Sequence, residues 1–263
     1  MKKLKICFAF IPGNLLLVLI FNLSIFTVAA QSSPKEKNWH FLADVYLMFP
    51  NMAGEIGIGN LLTVPVDANP GDIFSKLKFA GMLYLEAQSN KWAITSDIVY
   101  MNLNQEVTQS TLLHSGTASA EQFVWESAGF YKITSFLDAG VGGRLNNLQA
   151  GIDARRNVFP AGTEEVTGSS SKTWFDPIII ARIKTDIRDK WLFQFRGDVG
   201  GFGVSSDFTW QLQAYAGYRF SKVFQLTAGY RILSIDYDKG LDEERFIYNV
   251  DTFGPVIRLG CNF

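Results

Sequence analysis

The chemistry available to this chain is concentrated in six carboxylates and six arginines set among apolar positions. They are Asp44, Glu86, Asp97, Glu126, Asp176 and Asp198, and Arg144, Arg182, Arg196, Arg219, Arg231 and Arg258. Four carboxylates come early in the chain and every arginine comes later. An acidic and a basic half would therefore face each other across an enclosed space. The planar fork of arginine pairs bidentately with carboxylates, so one outcome is a packed ion network. A second is a water-filled conduit for a small solute, because rings of charge decide which ions pass, and a third is a specific ligand site. The packed network is the expected one.

Other reactive types are sparse. The two histidines are His40 and His114. His114 lies near Ser110 and Ser115, with Glu106 and Glu121 in the same excursion. Hydroxyl, imidazole and carboxylate together would suit a barrel-embedded lipid-modifying enzyme of acyltransferase or lipase type. Polar loops bring such neighbours together by chance, so no catalytic residue is assigned and no enzyme is expected. The glycines of 197–203 have dinucleotide-like spacing, but no helix follows, and a bend or close packing in a strand explains them. The acidic run Asp236 to Glu244 lacks the full ligand pattern of a calcium loop. It reads as a solvated loop, and neither metal nor cofactor is expected.

The segments that must position these charges alternate with period two. Residues 190–203 set Trp191, Phe193, Phe195 and Val199 against Gln194, Arg196 and Asp198. In 208–220, Leu212, Ala214 and Ala216 oppose Gln211, Gln213 and Arg219. In 223–238, Phe224, Leu226, Ala228 and Tyr230 oppose Gln225, Thr227 and Arg231. A helical period would scatter these sets around a circumference, so the segments are strands. No apolar run in 31–263 is long enough for a membrane helix. With one face apolar and the other polar, such strands suit a transmembrane barrel.

Connection lengths alternate as well. Short turns fall at Ser89-Asn90, Thr134-Ser135, Arg188-Asp189 and Ser221-Lys222. Long polar connections fall at 50–77, 105–116 and 150–172, with shorter ones at 203–207 and 239–245. Outer-membrane barrels keep short turns on the periplasmic side and longer loops outside. The expected fold is all-β: an antiparallel up-and-down transmembrane barrel of ten strands with both termini periplasmic. Twelve strands is the alternative, because 54–67 forms either a hairpin in the first outer loop or two short wall strands. The ten are 39–49, 78–88, 91–104, 118–133, 137–149, 174–186, 190–203, 207–220, 223–238 and 246–263. Aromatics at the short-turn ends predict an interfacial girdle of Trp39, Trp92, Tyr131, Trp191, Phe220, Phe224 and Phe263.

The two ends of the chain agree with this address. Lys2, Lys3 and Lys5 precede an apolar stretch from Ile6 to Ala30 that closes on Val28-Ala29-Ala30. That is the layout of a secretory signal cleaved near Ala30. Residues 1–30 form the signal, 31–38 a polar lead-in and 39–263 the barrel. Removing the signal leaves 24 − 3 = 21 basic against 25 acidic residues, a net charge near −4. Nothing in that balance suggests nucleic acid. Cys7 leaves with the signal, so Cys261 has no intramolecular partner for a disulfide. At the other end, residues 257, 259, 261 and 263 are apolar, against Arg258, Gly260 and Asn262.

A final amphipathic strand ending in Phe263 resembles the closing strand that barrel-assembly machinery reads. The resemblance extends over almost all of 31–263. It is carried by Tyr46-Leu47 with Pro50, Pro65-Val66-Asp67, Asp72-Ile73-Phe74, Leu77-Lys78-Phe79 and Glu86-Ala87. Trp92, Asp97 and Tyr100 follow, then Gly197 to Gly203, Ser206 to Gln211, Gly229-Tyr230-Arg231, Asp236-Tyr237 and Gly254-Pro255. Through these residues the chain resembles a family of Gram-negative outer-membrane β-barrel proteins of no assigned activity, loosely similar to the OmpW/OmpA-like small barrels. The family implies a barrel, an outer-membrane address and membrane lipid as partner, and brings no oligomeric state. One departure is Arg258, where a small residue is common in the terminal assembly signal.

Overall fold

A computed structural model describes residues 39–58, 63–106, 113–157, 162–187 and 190–263. The expected signal, its cleavage point, the lead-in 31–38 and the Arg188-Asp189 turn lie outside the described residues. Twelve strands and one α-helix follow one another among the described residues, with a 3-10 turn at Asp242–Glu244 before the last strand. The first are β1 (His40–Met48), β2 (Asn51–Ile58), β3 (Val64–Ala68), α1 (Pro70–Ser75) and β4 (Leu77–Gln88). Then come β5 (Trp92–Glu106), β6 (Leu113–Lys132), β7 (Leu137–Asn157) and β8 (Thr163–Ile187). The chain closes with β9 (Trp191–Gly200), β10 (Phe208–Arg219), β11 (Phe224–Lys239) and β12 (Phe246–Asn262).

Ten of these strands, β1 and β4 through β12, form a closed antiparallel ring. The seam lies between the first and last strands, in register from Leu42↔Asn262 to Met48↔Val256. Phe263 completes it: its N–H donates to the Phe41 carbonyl at 3.0 Å and its own carbonyl accepts from Phe41 N at 2.9 Å. The two rings stack with centroids 5.9 Å apart. Closure leaves the seam no open edge, which is the condition for backbone to lie in hydrocarbon.

The hairpin alternative for 54–67 is the one observed. Pro50 carries no N–H, so the ladder pauses after β1 and resumes as β2, which pairs with β12 from Asn51↔Phe253 to Ile58↔Phe246. β3 returns along β2, and neither strand adds to the ring. The helix α1 was not foreseen. Asn69 caps it, accepting from Asp72 N at 3.1 Å, while the Asp72 carboxylate accepts from Asn69 N at 3.1 Å. Pro70 sits in its first turn and Ile73 is buried beneath it.

The long connections 105–116 and 150–172 require correction, because much of each is strand. β7 and β8 pair without interruption from Leu137↔Ile183 out to Asn157↔Thr163. Above the lipid both faces of a sheet meet water, so polar side chains suit both faces and the period-two signal disappears. The backbone ladder continues all the same, because its N–H and C=O groups still need partners. The run 197–203 is also only partly strand. β9 stops at Gly200, and the chain turns through positive φ at Gly201 (80°), Phe202 (50°) and Gly203 (73°). A Cβ on Gly201 would lie 2.7 Å from the Ser206 carbonyl, so only glycine fits this turn.

The strands keep two chemically distinct faces. Phe193, Phe195, Leu212 and Leu226 are exposed, whereas Arg196 and Arg231 are buried inside. Trp39, Trp92, Tyr131, Trp191, Phe220, Phe224 and Phe263 are all exposed at the short-turn end. Trp92 meets Tyr131 edge-on at 5.0 Å. A charge on the outward face must enter lipid. Phe195→Lys should cost about 2–4 kcal/mol in urea unfolding from lipid vesicles, and Leu226→Lys, two residues from the start of β11, less. An unchanged midpoint for Phe195→Lys would mean this face does not meet lipid.

Candidate functional site

The centre of the lumen is organised around Glu126, which lies directly opposite Arg144 in the β6–β7 ladder. Its Oε2 accepts from Arg144 Nη2 at 2.8 Å and from Gln211 Nε2 at 3.2 Å, and its Oε1 accepts from Arg196 Nη2. Arg144 also donates to Asp198 at 2.7 Å and to the Thr209 hydroxyl at 3.0 Å. Gln211 carries the network onward: it donates to Asp198 at 2.8 Å and its Oε1 accepts from Arg231 Nε at 2.7 Å. Arg231 then reaches Asp97 and the Tyr46 hydroxyl, each at 3.1 Å, while Tyr46 donates to Asp97 at 2.6 Å. Bonds thus run from β7 across the lumen to β5 and β1. Arg144 and Gln211 have 0% exposure.

Towards the short-turn end a second cluster forms on Arg182. It donates to Asp138 at 2.8 and 3.1 Å, to Glu86 at 2.9 and 3.2 Å and to the Tyr84 hydroxyl at 3.2 Å. Lys184 donates to the same Glu86 at 2.7 Å. Arg182 and Arg196 sit directly opposite in the β8–β9 ladder, where like charges repel. They lean apart into different carboxylate clusters, and the Phe130 ring takes the Arg182 guanidinium at 4.3 Å and that of Arg196 at 6.0 Å. Arg258 is enclosed by the rings of Tyr46, Tyr84 and Tyr215.

The long-loop half of the lumen is different. Asp176, fully buried, accepts from Ser206 N and Oγ at 2.8 Å each, from Trp174 Nε1 at 3.0 Å and from Asn146 at 3.3 Å. Four donors satisfy this carboxylate without a cation. Beyond it Trp174 packs on Tyr237, Tyr248 and Phe246 at 4.7, 5.8 and 6.3 Å, with Leu233, Ile235 and Val250 completing an apolar plug. Below the network, at the short-turn end, the lumen widens into a cavity of about 1280 Å³ whose inner wall includes Asp44, Tyr84, Glu86, Tyr215 and Arg258.

Eleven of the twelve charges named from the sequence are buried: Asp44, Glu86, Asp97, Glu126, Arg144, Asp176, Arg182, Arg196, Asp198, Arg231 and Arg258. Arg219 is the exception: it faces the lumen and lines the cavity at the short-turn end, but stands outside the buried network. It ends β10 at the rim, pairs with Asp186 at 3.3 Å and keeps 26% of its side chain exposed. The clean division into an acidic and a basic half also fails, because Asp138, Asp176 and Asp198 stand among the arginines of β7 to β9. Asp138 and Lys184 were overlooked, although parity with Arg144 and Arg182 places both on the inward face. Of the residues near His114, Ser110 lies outside the described residues. Glu121 is occupied by Asn102 at 2.6 Å and Tyr100 at 3.3 Å. In the acidic run 236–244, Asp238 is held by Arg245 at 2.6 and 2.9 Å.

No family model and no curated protein matches this chain. Among solved structures it is similar to the outer-membrane protease OmpT from Escherichia coli, at 6% identity over 89% of this chain and 99% of that one, with a TM-score of 0.51. It also aligns with the monoaromatic hydrocarbon channel CymD (12% identity; 87% and 88% covered; TM-score 0.38). A third is Ail, the attachment invasion locus protein of Yersinia pestis (10% identity; 86% and 99% covered; TM-score 0.36). At such identities the likeness speaks for the fold alone, and the OmpT superposition carries it. The chain is a ten-stranded antiparallel β-barrel of the outer-membrane type.

A buried charge that loses its partner is costly where no water can replace it. Arg196→Ala or Arg231→Ala should lower unfolding stability by about 3–5 kcal/mol. Arg219→Ala, at the solvated rim, should change it by no more than ~1 kcal/mol. Equal, small effects at all three sites would show that solvent reaches the whole network.

Proposed function

We propose that the protein is an integral outer-membrane barrel with a filled lumen, serving as a structural and surface-interaction protein. Its termini and short turns face the periplasm, its signal is removed near Ala30, and lipid surrounds the aromatic and aliphatic exterior. Phe263 presents the terminus that the barrel-assembly machinery engages. One observation carries the reading. Among the described residues, ion network, Asp176 cluster and aromatic plug follow one another along the lumen, with side chains at 0–8% exposure across it. A second reading, a narrow passive conduit for small solutes, is favoured by the cavity at the short-turn end. It requires the network above that cavity to open.

Two measurements test the proposal. The purified protein in a planar bilayer should show no steady conductance. Steady single-channel current whose ion selectivity changes in Arg196→Ala would establish the conduit instead, since pore-lining charges set selectivity. Cell fractionation should recover the protein in the outer membrane, and deleting Phe263 should slow assembly. Recovery in the inner membrane or soluble periplasm would overturn the address.

A further inference from the structure

The five buried arginines are not equivalent. Arg144, Arg182, Arg196 and Arg231 each bond a carboxylate at 3.1 Å or less. Arg258 does not: its nearest carboxylate, Asp44, stands 3.9 Å from Nη1, too far for a hydrogen bond. The hydrogen bond Arg258 makes is from Nη2 to the Tyr215 hydroxyl at 2.8 Å. Asp44 in turn accepts none, and its Oδ1 and Arg258 Nε are both buried without partners. Both residues of this under-bonded pair line the cavity, beside Glu86, Asp138 and Lys184, whose charges are paired. Three tyrosine rings hold the guanidinium at 4.1, 4.9 and 5.0 Å from their centroids, which keeps it in place without neutralising it.

We infer that the floor of this cavity is a binding site for an α-amino-acid headgroup, with its carboxylate on Arg258 and its ammonium on Asp44. An anion alone would be repelled by Asp44 and a cation alone by Arg258. A zwitterion meets both, and its charges have the right separation. Three covalent bonds, N–Cα, Cα–C and C–O, place the ammonium nitrogen roughly 3 Å from the carboxylate oxygens, comparable with the 3.9 Å between Asp44 and Arg258. The tyrosine cage limits water around the guanidinium, and a charge-assisted bond gains strength where water is scarce. A cavity of about 1280 Å³ exceeds what a single amino acid needs, so the same floor receives a free amino acid with room above it for a large side chain. Gly260 keeps the acid in place: a Cβ there would lie 2.2 Å from Asp44 Oδ1.

Titration calorimetry on the intact barrel in detergent tests this with four probes: L-alanine, N-acetyl-L-alanine, L-alaninamide and tri-L-alanine. L-Alanine should bind about tenfold more tightly than either singly blocked derivative, a ratio of one decade in Kd. Tri-L-alanine carries its ammonium and carboxylate on different residues, so it should bind no better than the blocked derivatives, and tighter binding than L-alanine would overturn the inference. Asp44→Asn should lose the preference for L-alanine over N-acetyl-L-alanine, with heat-modifiable migration confirming a folded barrel. Gly260→Ala, which displaces the carboxylate without removing a charge, should weaken L-alanine in the same way. Equal affinity for L-alanine and its blocked forms on the unaltered protein, or no heat with any probe up to ~10 mM, would overturn the inference without recourse to a variant. Neither result bears on whether the lumen conducts.

Discussion

Glu126 accepts hydrogen bonds from both Arg144 and Arg196 in a space where all three side chains are 0–2% exposed. A carboxylate stripped of water and given a single cation would remain poorly solvated. Given two guanidinium groups and the Gln211 amide, it is surrounded. Desolvation of ions is repaid only when geometry is good and every remaining donor or acceptor finds a partner. Most of the lumen is arranged to meet that condition. Arg144 and Arg196 share Asp198, Gln211 relays the network to Arg231, and Arg231 reaches Asp97 on the far wall.

The need for full pairing arises from closure of the ring. Ten strands enclose little more than their own inward side chains, so rows of charge that would be hydrated on an open sheet are pressed together. Two answers to that crowding appear along the axis. Where arginines are available, carboxylates take cations. At Asp176 no arginine bonds the acid, and the turn after β9 supplies Ser206 while β8 supplies Trp174. The strained positive-φ turn at Gly201 to Gly203 therefore has a structural purpose: it brings a backbone N–H down onto a carboxylate that would otherwise be buried alone.

Bonding is thinnest at Arg258 and Asp44, which line the cavity at the short-turn end. Loss of bonding there and access to the cavity coincide, whereas Arg196 in the central network leaves only its Nε unpartnered and keeps two carboxylates. A barrel built in this way holds its middle rigidly and leaves its short-turn mouth chemically unsatisfied.

Much of this was legible in the residues themselves. Alternation placed Arg196 and Arg231 inside and Phe195 and Leu212 outside, because successive side chains of a strand point to opposite faces by covalent geometry alone. Short and long connections oriented the strands, and the glycine-rich run after Gly54 was too short to span a bilayer, which favoured a hairpin outside the ring. The same parity puts Asp138 and Lys184 on the inward face. Strand ends beyond the lipid were invisible, since a sheet wetted on both faces has no hydrophobic period although its ladder continues. Parity states which face a charge is on and nothing about its height or its partner. Arg219 is inward by parity, yet its position at the end of β10 leaves it in solvent with Asp186. Partners were decided only by closure, which brought Arg231 to Asp97 across 134 residues of chain and Arg182 to Glu86 across 96. The stagger of the strands around the ring, a property of all ten together, decides which side chains meet at one level. No local stretch of sequence contains it.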